Sequence, residues 1–162
     1  MAFVSVPNAE TKARYDAFSD ALHVRGLEVS PPLDGRPGAS AVTPELVVEL
    51  MDRGSLPDCF VCANDEEALV VMETLRAAVF SVPGQVAVAG FDGVVAGRLV
   101  RPSLTTVRQP MELMGRTAVE LLVDAIARPL AAPASRELPV RLVSAKVAAA
   151  ARTDPSLAIP AS

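Results

Sequence analysis

The chain has 162 residues, of which 51% are hydrophobic and 21% charged, a balance typical of a globular domain and opposite to that of a disordered chain. The net charge is −4, and acidic residues are interspersed among the arginines, so the sequence contains no basic stripe. Because neutralised phosphates supply most of the affinity for DNA, we do not expect this chain to bind DNA by itself. The first residues lack a signal-peptide pattern and no apolar run could cross a bilayer, which predicts a cytoplasmic protein with reduced cysteines.

The chain begins with a predicted strand–helix–strand pattern. Ala2–Val6 predicts a strand, and residues 10–25 predict a helix that ends at Gly26, where a C-terminal glycine is favoured. Leu27–Val29 predicts the start of a second strand. The Pro/Gly-rich segment 31–40 predicts a surface loop.

The next segment predicts a helix, a buried strand and a further helix. Thr43 and Pro44 suit the N-cap and the first position of a helix that stops at Gly54. The apolar run 58–63 is typical of a strand that is covered on both faces. Asn64 then provides the N-cap of a third helix.

The second half of the chain continues this alternation. Residues 85–90 and 104–107 predict strands, Pro110 begins a long helix, and residues 138–147 predict a last strand. One side of the long helix is apolar and consists of Met111, Met114, Ala118, Leu121, Leu122 and Ile126. We expect the two methionines to lie in the core. The order of elements predicts the α/β class, with a parallel sheet flanked by helices.

Polar residues follow three of the predicted strands at the point where each strand ends. Asn8 follows the first strand, Asn64 and Asp65 follow the third, and Asp92 ends the strand after that. Ligands of open α/β sheets bind beyond the carboxyl ends of the strands, and carboxylates and amides suit neutral polyols. The same residue types also cap helices and form turns, so the pattern by itself leaves both interpretations open.

Two further features could indicate metal binding or catalysis. Cys59 and Cys62 form a Cys-x-x-Cys pair, but residues three apart in a strand point to opposite faces, so we predict core packing and no metal site. His23 is placed in the last turn of the first helix, where a cation is favoured, and we interpret it as a surface residue. No paired base and nucleophile is visible, so we predict neither an enzyme nor a cofactor.

Three motifs resemble those of the effector-sensing domain of LacI/GalR (lactose-repressor) transcription regulators. They are LPDCFVCANDEEA at 56–68, VPGQVAVAGFDG at 82–93 and PSLTTVRQP at 102–110, in the family's order and spacing. Residues 14–18 resemble the family's Arg-x-x-Gly-Phe segment, with Ala17 in place of glycine. The resemblance extends from about Phe3 to about Val143.

The resemblance implies a periplasmic-binding-protein-like fold of type I, in which two subdomains close on a small effector such as a sugar or a nucleobase. It places Arg14, Asn64 and Asp92 at effector-contacting positions and Gln109 at the cleft. It also implies a homodimer that contacts DNA only through a helix-turn-helix module, which we expect to be absent from this chain.

The resemblance further implies a domain division. Residues 1–109 correspond to the C-terminal sensor subdomain, residues 110–148 to a crossover helix and strand of the N-terminal subdomain, and residues 149–162 to a flexible tail. The rest of the N-terminal subdomain would precede Met1, so we expect Met114 and Leu142 to lack packing partners, together with Leu121. Two alternatives are a periplasmic-type solute receptor and a non-functional truncated remnant of a regulator.

Overall fold

The computed structural model describes residues 1–34, 41–130 and 132–145, in which strands and helices alternate. The strands are β1 (Ala2–Ser5), β2 (Leu33–Asp34), β3 (Cys59–Cys62), β4 (Ala87–Asp92), β5 (Thr105–Arg108) and β6 (Arg141–Val143). The helices are α1 (Ala9–His23), α2 (Pro44–Asp52), α3 (Asp65–Ala77), α4 (Ala96–Leu99) and α5 (Met111–Ala127). Within the described residues, no helix combines the length and the apolar character that a bilayer crossing requires.

The strands form one six-stranded sheet in the order β2-β1-β3-β4-β5-β6. Neighbouring strands from β2 to β5 pair in parallel, whereas β6 pairs antiparallel to β5 with Val143 opposite Thr106. The predicted α/β class is therefore confirmed, with an antiparallel strand at one edge. Because β1 to β5 run in the same direction, their carboxyl ends meet at a single edge of the sheet.

The hydrophobic core lies between one face of the sheet and helices α2 and α3. Alternate strand residues point to this face, among them Val4 of β1 and Phe60 of β3, and they pack with Val47 of α2 and with Val71 and Leu75 of α3. All five side chains are fully buried. Helix α1 covers part of the opposite face through three aromatic rings in mutual contact, those of Phe3, Tyr15 and Phe18.

The predicted helix boundaries are confirmed by the caps. Asn8 forms a capping box with Thr11 at the start of α1, and the Thr43 hydroxyl accepts a hydrogen bond from the backbone N–H of Leu46 in α2. Gly26 and Gly54 follow α1 and α2 with φ values of +65° and +62°, a conformation that glycine adopts without steric cost.

The prediction of a strand at Leu27–Val29 is wrong. The backbone N–H of Leu27 donates to the carbonyl of Leu22 and so completes the end of α1. The second strand is Leu33–Asp34, within the segment predicted as a loop, because Leu33 pairs there with Val4 of β1. Residues 35–40 of that predicted loop lie outside the described residues.

The prediction that the methionines of α5 lie in the core is also wrong. Met111 is 67% exposed, and Met114 is exposed as well, as the resemblance implies for a residue without a packing partner; Thr117 is the α5 residue that is buried. Leu142 of β6 is 60% exposed, as expected for an apolar side chain without a packing partner. The last strand spans Arg141–Val143 of the predicted 138–147, whose final residues lie outside the described part of the chain, as does the predicted tail at 149–162.

Candidate ligand-binding site

The carboxyl ends of β4 and β5 are joined by two predicted site residues. Gln109, just after β5, donates a hydrogen bond of 2.6 Å from Nε2 to Oδ1 of Asp92, the last residue of β4. The backbone N–H of Gln109 also donates to the carbonyl of Asp92, at 3.2 Å. The parallel register, in which Asp92 lies opposite Arg108, brings the two side chains into contact. A carboxylate and an amide are thus presented together at the sheet edge.

Arg14 approaches this pair from helix α1. Its guanidinium lies over the ring of Phe91, with Cζ 4.1 Å from the ring centroid, a distance at which a cation is attracted to the face of an aromatic ring. Its Nη1 donates a hydrogen bond of 2.6 Å to the carbonyl of Ala63. The pKa of Asp92 is raised by burial, and the positive charge of Arg14 partly opposes that effect. The ring and the carbonyl therefore hold the guanidinium beside the carboxylate.

Asn64, directly after β3, is the N-cap of α3. Its Oδ1 accepts a hydrogen bond of 2.7 Å from the backbone N–H of Glu67, as the sequence predicts. Within residues 1–34, 41–130 and 132–145, its Nδ2 group makes no hydrogen bond. The cap fixes the side chain and leaves the amide N–H groups as donors at the sheet edge.

The pKa of Asp92 is raised above its ordinary value of 3.8. Burial is the largest cause, because it disfavours the charged form, and the charges of Asp65 and Glu66 act in the same direction. The hydrogen bond from Gln109 and the charge of Arg14 oppose this shift. A carboxylate that is short of solvation gains from additional hydrogen-bond donors, such as ligand hydroxyl groups.

The sequence places Asp65 among the polar residues at the strand ends but does not predict its burial or its partners. The pattern indicates a first-turn acid of α3, but the side chain is 0% exposed and turns inward. Its carboxylate accepts hydrogen bonds from the backbone N–H groups of Gly93 and Val94 and from the hydroxyl of Thr106. The motif around residue 64 locates the residue, but only the three-dimensional pairing of β4 with β5 reveals its partners.

A pocket of about 430 Å³ lies between α1 and the ends of β1 and β2, and its lining includes none of Arg14, Asn64, Asp92 and Gln109. Its lining includes Asn8, Lys12, Tyr15 and Asp34. The Oδ1 of Asn8 is occupied by the backbone N–H groups of Glu10 and Thr11, so this residue acts as a helix cap. Asn8 and Asn64 at the strand ends thus cap helices, whereas Asp92 and Gln109 contact each other beside Arg14 of α1.

The cysteines of β3 are packed within the sheet. Cys62 is buried, Cys59 is partly buried, and neither forms a disulfide. Burial raises the pKa of the Cys59 thiol to about 11 and also raises that of Cys62 well above its ordinary value. No group of metal-ligating side chains occurs in the described part of the chain.

The family profile of periplasmic binding protein-like domains matches residues 1–144. The chain belongs to this family. Its relatives identify it as the effector-binding domain of a LacI/GalR-type regulator. Against the regulator GalR of Escherichia coli it is 37% identical over 129 residues, which make up 78% of this chain and 37% of GalR.

Solved structures agree with the fold. A LacI family regulator from Enterococcus faecium with bound ribose superimposes with a TM-score of 0.73 at 27% identity, over 89% of this chain and 54% of that protein. A dimeric Lac repressor gives a TM-score of 0.74 at 25% identity, over 90% of this chain and 54% of that one. The chain thus spans about half the length of these two structures and 37% of the length of GalR. These relatives are transcription regulators and not enzymes, as the sequence predicts.

The described residues of the effector-binding domain form a single α/β unit. Along the chain, each helix is separated from the next by a strand of the same sheet; for example, β5 lies between α4 and α5 in sequence. Residues 1–34, 41–130 and 132–145 accordingly contain no separate DNA-binding module.

Proposed function

We propose that this chain binds a small sugar-like effector at the carboxyl edge of its sheet, through Arg14, Asn64, Asp92 and Gln109. The observation that carries the proposal is the contact of Asp92 with Gln109 beside the guanidinium of Arg14. The bound ribose of the Enterococcus faecium relative supports the sugar class. A nucleobase is the second ligand class, since its edges also present adjacent donors and acceptors.

The four side chains have complementary roles in this proposal. Asp92 accepts hydrogen bonds from ligand hydroxyl groups, and Arg14 and the Nδ2 of Asn64 donate to ligand oxygens. Gln109 does either, and its bond to Asp92 fixes the carboxylate before the ligand arrives. Phe91 contributes by keeping the guanidinium plane in place.

The exposed apolar side chains of α5 and β6 support the domain division. The proposed sensor subdomain comprises residues 1–109, while residues 110–148 cross to a second subdomain that closes the cleft from the other side. Met111 and Leu142 are exposed here, as expected of residues that pack on such a subdomain. The pairing of β6 with β5 keeps this crossover segment attached to the sensor sheet.

We also propose that the chain forms a homodimer and acts in the cytoplasm as the sensing part of a regulator. Effector binding would then shift the closure of the subdomains and the arrangement of the dimer, and with it the DNA-binding modules of the full regulator. The dimeric Lac repressor supports the assembly. The resemblance to LacI/GalR regulators implies a dimer surface around residues 68–75 and 94–104, and in these segments Val70, Val95 and Leu99 are exposed and apolar. Ala68 and Leu75 from the same segments are buried in the core and are excluded from that surface.

The binding proposal is tested by titrating the ¹⁵N-labelled chain with D-ribose, with other mono- and disaccharides, and with nucleobases, while two-dimensional NMR spectra are recorded. We expect one sugar to shift the backbone amide signals of Gly93 and Gln109, and to raise the melting temperature by mass action. Asp92→Asn should abolish both effects. Asp52→Asn, which changes an exposed carboxylate at the end of α2, should leave them unchanged. A folded chain that responds to no compound of the panel contradicts the proposal and favours a non-functional remnant.

The dimer is tested separately by sedimentation velocity. Leu99, which is 73% exposed, is replaced by arginine, and this change should shift the chain from dimer to monomer while its circular dichroism spectrum stays that of the folded chain. A wild-type chain that sediments as a monomer at all concentrations contradicts the dimer and leaves the binding result intact.

A further inference from the structure

Asp65 lies fully buried at the point where the ends of β3, β4 and β5 meet. Its Oδ2 accepts hydrogen bonds of 2.8 Å from the backbone N–H groups of both Gly93 and Val94. Its Oδ1 accepts a hydrogen bond of 2.5 Å from the hydroxyl of Thr106 in β5. A buried carboxylate is tolerated only when such bonds replace its hydration, so these three donors determine its position.

The backbone around Asp65 leaves room for this arrangement because two glycines line it. A Cβ atom added at Gly90 would stand 2.4 Å from Oδ1 of Asp65 and 3.1 Å from its Cα. A Cβ atom at Gly93, whose φ is +78°, would stand 2.8 Å from Cα of Arg108. The end of β4 can therefore approach both α3 and β5 closely only with glycine at these two positions.

Asp92 occupies an unusual backbone conformation between these glycines. Its φ is +121°, in the region that non-glycine residues rarely adopt because it is strained for them. The residues on its C-terminal side are held by the bonds from Gly93 and Val94 to Asp65. Its own carbonyl is held by the N–H of Gln109. This conformation directs the Asp92 side chain to Gln109.

We infer that Asp65 is the positioning residue of the effector site: without contacting the ligand, it holds the β4 end in the conformation that presents Asp92 to Gln109 and Arg14. The inference rests on the proposed function for its consequence in binding. The arrangement itself is independent of any ligand. Thr106 is the second member of this arrangement, because its hydroxyl fixes the Asp65 carboxylate that the two amides bind.

The arrangement is tested without ligand by hydrogen exchange of individual backbone amides, measured by NMR. Thr106→Val keeps the side-chain shape and removes the donor to Asp65. We expect exchange of the Gly93 and Val94 amides to accelerate by about tenfold or more, the effect of losing a hydrogen bond to a charged group. Thr106→Ser retains the hydroxyl and should restore slow exchange.

Thr74→Val is the matched control. Thr74 is also buried, and its hydroxyl donates to the carbonyl of Val42, at a part of α3 remote in sequence from Asp65. This variant should leave the exchange of Gly93 and Val94 unchanged. Equal rates for these amides in Thr106→Val and Thr74→Val would overturn the inference, and so would failure of Thr106→Ser to restore slow exchange.

A second readout reports on the position of Asp92 directly. Thr106→Val keeps the charge of Asp65, so we expect it to shift the side-chain amide signals of Gln109, which donates to Asp92, whereas Thr106→Ser and Thr74→Val should leave them unchanged. Unchanged Gln109 signals in Thr106→Val would contradict the inference. D-ribose titrations of the same variants then test the consequence for binding, with reduced affinity expected in Thr106→Val and wild-type affinity in Thr106→Ser and Thr74→Val. If the wild-type chain binds neither ribose nor any other compound of the panel, the proposed function fails, while the exchange rates still decide the role of Asp65.

Discussion

The Nε2 of Gln109 donates to Oδ1 of Asp92 at 2.6 Å, and this bond joins the ends of two adjacent parallel strands at the proposed effector site. The bond lowers the pKa of Asp92, opposing the effect of burial. It favours the ionised carboxylate and fixes its orientation at the sheet edge, and the ionised form is the one that accepts hydrogen bonds from a polyol.

Gln109→Leu removes this donor while approximately preserving side-chain size. We expect the pKa of Asp92 to rise further above 3.8, because burial then acts with less compensation. The measurement is an NMR titration of the Asp92 side-chain carboxyl carbon. Gln109→Glu is unsuitable as a control because it adds a second charge, whereas Asp52→Asn on α2 should leave the titration unaffected. A pKa that falls in Gln109→Leu contradicts the assigned role of the bond.

Asp92→Asn should stabilise the ligand-free chain at neutral pH. The native pKa of Asp92 is raised, so its neutral form is favoured in the folded state relative to the unfolded one. The stability that this group contributes is therefore fully present below its ordinary value of 3.8 and is lost as the pH rises through the native pKa. We expect the free energy of unfolding of Asp92→Asn to exceed that of wild type by an amount that grows over this interval and is constant above it.

Urea denaturation at a series of pH values measures this difference. Because other carboxyl groups titrate in both proteins, only the difference between the two curves reports on Asp92. A difference that shrinks as the pH rises above 3.8 would contradict the direction of the shift. The same variant is expected to lose sugar binding. The Asp92 carboxylate would then lower the stability of the ligand-free chain and at the same time be required for binding.

The sequence predicts much of the fold because its signals are local. Capping residues such as Asn8 and Thr43 act within one helical turn, and the apolar run at 58–63 predicts a buried strand from its composition alone. The convergence of Asn64 and Asp92 follows from the rule that parallel strands end at one edge. Those features require no knowledge of which strand pairs with which.

The features that sequence reasoning missed depend on long-range pairing. Leu33–Asp34 is a strand because β1 is available beside it, although consecutive prolines precede it. Asp65 looks like an ordinary first-turn acid until the pairing of β4 and β5 brings Thr106 and Gly93 to it. The apolar side of α5 predicts burial, but the described residues offer it little surface on which to pack, and Met111 stays exposed.

Substitutions of Asn64 separate its structural role from its proposed role in binding. Asn64→Ala removes the N-cap of α3 and should cost about 1 kcal/mol of stability. Asn64→Asp retains an oxygen for the backbone N–H of Glu67 and should keep the stability near that of wild type. Both variants lack the Nδ2 donor, so both should weaken sugar binding in NMR titrations. Wild-type affinity in Asn64→Asp would show that the residue is a helix cap alone.

The cysteines should be unreactive in the folded chain. Alkylation requires the thiolate, and burial raises the pKa of Cys59 to about 11 and that of Cys62 well above its ordinary value, so thiolate is scarce at pH 8. Because the pKa of Cys59 rises from 9.0 to about 11 in the folded chain, we expect iodoacetamide to modify it about 100-fold more slowly in the folded chain than in the urea-unfolded chain. Peptide mass spectrometry after timed quenching measures both rates. Rapid modification of native Cys59 would contradict its protected position in β3.

Two glycine-to-alanine substitutions should have opposite effects. Gly115 lies within α5, and a Cβ atom there would meet nothing within 4 Å, so Gly115→Ala should stabilise the chain by about 0.5–1 kcal/mol through helix propensity. Gly90→Ala forces a methyl group against Oδ1 and Cα of Asp65, in a part of the sheet that is already closely packed. It should destabilise the chain by about 1–3 kcal/mol, the usual cost of overpacking.

Thermal and urea denaturation of the two variants compare these effects. Gly90→Ala should also accelerate exchange of the Gly93 and Val94 amides, since it displaces the carboxylate that they bind, while Gly115→Ala should not. A stable Gly90→Ala variant with wild-type exchange would mean that Asp65 can shift without releasing the end of β4. That result would remove the steric reason for glycine at position 90 and weaken the case that Asp65 determines the orientation of Asp92.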